Sequence, residues 1–176
     1  MPIETDWTIA VTEVPQNGVS FTRTATASER AAVAKALDLL DCTALGCKLR
    51  VKPLRQGRYQ VKGQLTASVV QACVVSLEPV ENQIAEAIDV EFRPKDEIGA
   101  APAKDDDAWL DPEAPDGAEA IEQGHIGIGR LVYECLASGL DPYPRKAGAM
   151  LGWAESEAAK AAVHPFAALA KLKKKE

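Results

Sequence analysis

The sequence predicts an α+β domain: an antiparallel β-sheet or partly open barrel with two main helices, a long acidic loop and a C-terminal tail. Three observations carry that expectation. Apolar and polar residues alternate through 45–52 and 58–65, the period of a half-buried strand. Two other stretches repeat their apolar residues at helical spacing. Between them, residues 94–123 lose both periods and fill with Pro, Ala and Asp. At 176 residues and 47% apolar content, one domain (1–146) with a tail (147–176) is expected.

Each element has its own justification. Trp7, Ile9 and Val11 alternate with Thr8, Ala10 and Thr12, and Pro15-Gln-Asn-Gly18 is turn chemistry. Residues 7–26 therefore read as two short strands. Thr26-x-x-Glu29 has the capping-box pattern, with Ser28 as a competing cap. Val33, Ala36, Leu37 and Leu40 then form an apolar stripe, so a helix is expected to about residue 40. Leu45–Lys52 and Arg58–Ala72 read as strands joined by Pro53-Leu-Arg-Gln-Gly57. Val80–Phe92 reads as a third strand, but the spacing of Val80, Ile84, Ile88 and Val90 also fits a partial helix.

Residues 94–123 contain four prolines and Asp105-Asp-Asp107. Such a composition cannot offset the entropy of ordering, which predicts a mobile loop, with Trp109-Leu110 as an anchor. Gly124-His-Ile-Gly127-Ile-Gly129 lacks dinucleotide-binding spacing and reads as a flexible entry to the second helix. In that helix, about 127–138, Ile128, Leu131, Val132, Cys135 and Leu136 share one face. Gly139 is placed to take the left-handed conformation past its end, and Pro142 and Pro144 forbid continuation. The tail is Ala-rich and ends in a lysine cluster, with Pro165 fit to start a short helix.

The net charge of −6 argues against a surface that binds nucleic acid all over. Its distribution is more informative. From Cys42 to Leu77 there are six basic residues (Lys48, Arg50, Lys52, Arg55, Arg58, Lys62) and no acidic one. From Glu78 to Glu122 there are fifteen acidic residues and three basic ones. If the two strands pair as a hairpin, Lys48, Arg50, Lys52, Arg58 and Lys62 line one face, with Arg55 at the tip. A basic sheet face suits RNA phosphates; the alternatives are an ordinary solvated outer face, or a face that the acidic loop lies over and neutralises. Contact of the acidic block with a basic ribosomal protein is a comparable possibility.

Little else suggests chemistry. His125 has no evident partner acid or nucleophile, and Ser76 and Ser138 lack nucleophile-elbow surroundings. Cys42 and Cys47 have a spacing some zinc pairs use but no second pair. The four cysteines (Cys42, Cys47, Cys73, Cys135) therefore read as reduced thiols. No catalytic residue, metal, cofactor or small-molecule substrate is expected. No membrane contact is expected either, because no apolar run is long enough to span a bilayer; a cytoplasmic location follows.

Two motifs stand apart. In Gln71-Ala-Cys-Val-Val-Ser-Leu-Glu-Pro79, Cys73, Val75 and Leu77 alternate as on a strand, which Glu78-Pro79 would end. In Asp141-Pro-Tyr-Pro-Arg-Lys146, Pro142 and Pro144 hold the chain extended. There Tyr143, Arg145 and Lys146 are either a contact surface or part of a rigid exit packed on the body. With His164-Pro-Phe-Ala-Ala-Leu169, these motifs resemble the YceD-like family of large ribosomal RNA subunit accumulation proteins. The resemblance marks Cys73, Leu77, Glu78, Pro79, Asp141, Pro142 and Pro144 as family positions. It implies a non-enzymatic role in accumulation of large-subunit ribosomal RNA. The implied partner is precursor RNA, a ribosomal protein or an assembly factor. Phe166, Leu169 and Leu172 form a candidate docking stripe in the tail, or a helix that packs back on its own domain. The alternative function is a protein-interaction adaptor outside ribosome assembly.

Overall fold

The computed structural model describes residues 7–98 and 118–150. Its centre is an open five-stranded sheet in the order β2-β3-β4-β5-β6. The strands are β2 (Val19–Thr24), β3 (Asp41–Pro53), β4 (Tyr59–Ala72), β5 (Pro79–Pro94) and β6 (Glu119–Ile121). Neighbours are antiparallel except β5 and β6, which run parallel. A separate ladder pairs β1 (Thr8–Ala10) with β7 (His125–Gly127). Helix α1 (Ala27–Ala36) packs on β3, and α2 (Ile128–Gly139) packs on β4, β5 and β1. The expected α+β class with two helices is realised, and the sheet does not close into a barrel.

Alternation builds the core. Leu49, Val51, Val61, Leu65, Val69, Ile84, Ile88 and Phe92 turn inward. They meet Ile128, Leu131, Val132 and Leu136 of α2. Val80–Phe92 thus forms strand throughout, because its whole length is laddered to β4. At the entry to α1, both arms of the capping box are present. Glu29 N–H donates to Thr26 Oγ1 at 3.3 Å, and Thr26 N–H donates to Glu29 Oε2 at 2.6 Å.

Five local expectations are corrected. Helix α1 stops at Ala36, short of residue 40. Asp38 adopts φ +53°, and Leu39 N–H bonds back to Ala34 C=O at 2.9 Å, a Schellman-type closure. Leu39 therefore enters the core in place of Leu40, which is exposed. Gly139 is the last residue of α2 and is not left-handed. The position is crowded: a Cβ there would lie 3.0 Å from side-chain atoms of both Ile84 and Glu86 on β5, which would have to give way. Gly124–Gly129 is no flexible entry. Gln123 (φ +50°) and Gly124 (φ +76°) make a two-residue turn between β6 and β7, and so link the two sheets. Residues 73–78 are the connection between β4 and β5, not a strand end. Leu77, at φ +60°, donates to Cys73 C=O at 2.9 Å, and Cys73 N–H donates to Glu78 C=O at 2.8 Å. Pro79 opens β5, a strand position that tolerates its missing N–H. Within the expected mobile loop 94–123, Glu119–Ile121 is instead strand β6, laddered parallel to the end of β5 at Phe92–Pro94. Trp109-Leu110, Asp105–Asp107 and the tail stripe lie outside the described residues.

Candidate functional site

The outer face of the sheet follows from register. Lys48 lies opposite Gln64, Arg50 opposite Lys62 and Lys52 opposite Gln60. On the other side β2 places Thr22 beside Lys48 and Ser20 beside Arg50. Because Leu49, Val51, Val61 and Leu65 are inward, these polar partners share the outward face. Lys48, Arg50, Lys52, Arg55 and Lys62 are exposed, and Arg58 is half-buried. A shallow groove of about 170 Å³ crosses this face over Gly46, between Thr22, Thr24, Lys48, Gln64 and Thr66.

The six cations fall into two electrostatic groups. Strand β5 carries Asp89 and Glu91 on the same face, opposite Lys62 and Gln60. Lys62 Nζ lies 2.8 Å from Asp89, and Gln60 Nε2 donates to Asp89 at 3.0 Å. Arg58 reaches Glu97 at 2.7 Å and Glu91 at 3.6 Å; Arg93 also holds Glu91, at 2.8 Å. The acidic block therefore begins beside the basic one and neutralises two of its members. Lys48, Lys52 and Arg55 have no ion pair among the described residues. Arg50 donates to Asn17 C=O at 2.8 Å, a bond that leaves its charge uncompensated. Positive potential is thus concentrated over β3 and the β3–β4 turn.

The second feature is a corner where the two sequence motifs meet, seventy residues apart in the chain. Gln71 Nε2 donates to Asp141 C=O at 2.9 Å, and Val74 N–H donates to Pro144 C=O at 2.9 Å. Lys146 Nζ lies 2.9 Å from Glu78. Tyr143 N–H donates to Asp141 Oδ1 at 2.9 Å, across Pro142, and Pro144 is buried. At the centre sits Cys73, fully buried. Its sulfur accepts N–H bonds from Val75, Ser76 and Lys146, each at 3.4 Å. The Lys146 N–H, then the Ser76 hydroxyl and N–H, then the Val75 N–H, outweigh burial and bring the thiol down to about 6. Leu77 and Tyr143 project from this corner at 77% and 71% exposure, so Tyr143 is not packed on the body. Arg145 is also exposed.

A thiol held below its ordinary value stabilises the fold fully above that value and progressively less as pH falls through about 6. The stability gap between the wild type and Cys73→Ala is accordingly expected to be widest near pH 9 and to narrow toward pH 6. Denaturant unfolding of both proteins across that range measures it. A gap independent of pH would show that the sulfur acts only by packing.

Other candidates do not assemble. Cys42 and Cys47 are both buried on β3, roughly 16 Å apart by strand geometry, too far to share a metal ion. Among the described residues no three His, Cys, Asp or Glu side chains form a metal-binding group. A cleft of about 700 Å³ beside β7 is lined by Thr8, Glu119, Glu122, His125 and Arg130. Its described lining contains no serine or cysteine, His125 Nδ1 lies 3.0 Å from Gln123 C=O, and Arg130 is paired with Glu134 at 2.8 Å. No described helix is long and apolar enough to cross a membrane. Tyr143, Arg145 and Lys146 are brought to the corner; Phe166, Leu169 and Leu172 lie outside the described residues.

Neutralisation of the basic face by the acidic loop was one sequence expectation, and Glu97 does this to Arg58; sequence reasoning missed the sulfur cradle and the neutralisation of Lys62 from β5. The first left no periodic signal. The second was legible in part, because Asp89 and Glu91 alternate with Ile88, Val90 and Phe92. Comparison with known proteins gives one match: a model of the family described as large ribosomal RNA subunit accumulation protein YceD matches residues 61–173. That span holds the whole corner and, of the six basic residues, Lys62 alone. No curated protein and no solved structure matches. With its family match covering most of the chain and both motifs folded into one corner, this protein belongs to the YceD family of large ribosomal RNA subunit accumulation proteins.

Proposed function

We propose that this protein supports accumulation of large-subunit ribosomal RNA without catalysing a reaction, by holding precursor RNA on the outer face of its sheet. The observation that carries the reading is the uncompensated row Lys48, Arg50 and Lys52 with Arg55 at the turn. These cations stand on a rigid strand whose reverse side is core. Phosphates binding there release counterions, so affinity falls steeply with salt. Lys62 and Arg58 contribute less, because each already has a carboxylate partner.

The test reverses Lys48, Arg50 and Lys52 to Glu. All three are exposed, so the fold is expected to survive with an unchanged melting temperature. Recovery of large-subunit precursor RNA with the tagged protein is expected to fall at least tenfold, and rescue of ribosomal RNA levels in cells lacking the gene is expected to fail. Undiminished RNA recovery would refute the sheet face as the contact.

A second reading, a protein adaptor working through the corner, is favoured by the exposure of Leu77 and Tyr143 beside Arg145. Apolar side chains held on a braced loop are the composition of an interface centre. It predicts that Leu77→Ser with Tyr143→Ser abolishes rescue while RNA recovery is unchanged.

A further inference from the structure

We infer that the sheet face takes double-helical RNA by its sugar–phosphate backbone, not single-stranded RNA by its bases. This rests on the RNA-contact reading above and names the class of RNA. Three observations point to it.

The described aromatic rings of the sheet region lie on the core side. Trp7 is fully buried, and Phe21 packs against it at 6.5 Å between centroids. Tyr59 is partly buried against the core, and its hydroxyl donates to Val11 C=O at 3.4 Å. Proteins that hold single strands stack bases on exposed aromatic rings. The outward face of β2, β3 and β4 offers none.

What that face does offer is hydroxyl, amide and cation. Ser20, Thr22, Thr24, Gln64 and Thr66 surround Lys48 and Arg50. Ribose 2′-hydroxyls and phosphate oxygens are the partners for such groups, and A-form helices present both across the minor groove.

The cations also have a regular geometry with a border. Lys48, Arg50 and Lys52 repeat every second residue on β3, about 7 Å apart. Two strands away, about 10 Å across the sheet, Asp89 and Glu91 are paired with Lys62, Arg93 and Arg58, and the uncompensated positive strip ends there. A phosphate track is thereby confined to the β2–β3 side. A preformed helix meets a sheet face backed by the core at little ordering cost. A flexible strand would have to be ordered with no stacking in return.

The experiment uses the full chain and fluorescence anisotropy. The probes are an RNA duplex of about 16 base pairs, each of its single strands, and the DNA duplex of the same sequence. The duplex RNA is expected to bind at least tenfold more tightly than either of the other forms. Its log–log salt slope should be about 3, for the three or four uncompensated cations. Asp89→Asn with Glu97→Gln, which removes the 2.8 Å partner of Lys62 and the 2.7 Å partner of Arg58, is expected to tighten duplex binding severalfold and to steepen the slope. Single-strand or DNA binding equal to that of duplex RNA, if still abolished by reversal of Lys48, Arg50 and Lys52, overturns the duplex inference while leaving the sheet-face contact intact. Failure of every RNA probe to bind overturns both.

Discussion

Gly63→Ala is expected to abolish the fold. Gly63 pairs with Leu49 in the middle of the β3–β4 ladder. A Cβ at this position would sit 2.0 Å from the Lys48 carbonyl oxygen and 2.8 Å from Leu49 Cα. Both are backbone atoms, so no rotamer change relieves the contact. Relief requires the two central strands to separate where Val51, Val61 and Leu65 are fully buried. A cost on the order of 4 kcal/mol or more follows, the range of substitutions that break a core. That is a large fraction of the stability of an ordinary small domain. Gly127→Ala is the control: a Cβ there meets nothing within 4 Å, and the change is expected to leave the melting temperature within a degree or two of wild type. Circular dichroism melts of both variants decide the matter. A folded Gly63→Ala protein with wild-type melting temperature would mean that the β3–β4 register differs from the one described.

Trp7→Ala is expected to cost about 3–5 kcal/mol, the range for loss of a large buried aromatic residue. The indole is fully buried, with the Arg23 guanidinium 5.1 Å from its ring centre. Its Nε1–H donates to Glu29 Oε1 at 2.8 Å. Glu29 is buried too, and this one carboxylate also caps α1 through Thr26 and faces Arg23 at 3.6 Å. Burial works to raise the Glu29 carboxyl; the bonds from Thr26 and Trp7 and the Arg23 charge outweigh it and hold it below its ordinary value. A depressed carboxyl stabilises the fold above its unfolded value and loses that contribution as pH falls through the folded one. Trp7→Phe keeps most of the ring but removes one donor, so its acid unfolding midpoint should move to higher pH. Glu29→Gln should flatten the acid limb of the stability curve. An acid limb unchanged in Glu29→Gln would sink the assignment.

The part of the candidate site that was legible in sequence is the part written in local period. Lys48, Arg50 and Lys52 face outward because Leu49 and Val51 must face inward; alternation on a strand allows no other outcome once one face is buried. The capping box at Thr26 and Glu29 was legible for the same reason, since its partners lie three residues apart. The end of α1 was not. Its apolar stripe runs on to Leu40, and only the left-handed turn at Asp38 sends Leu39 inward instead.

What the tertiary structure alone decided depends on distance through space between residues far apart in the chain. Asp89 and Glu97 neutralise Lys62 and Arg58 because the β4–β5 hairpin sets them side by side. Gly139 is crowded because α2 lands on the Ile84 and Glu86 side chains, a contact that a helix-ending rule does not record. Cys73 reads as one more alternating apolar residue until Lys146, seventy-three positions later, turns its N–H onto the sulfur. Periodicity along a chain encodes which way a side chain points; it carries no record of which distant charge, carbonyl or amide will be waiting there. Facing along the strands is therefore determined by sequence in this protein, and pairing by the fold.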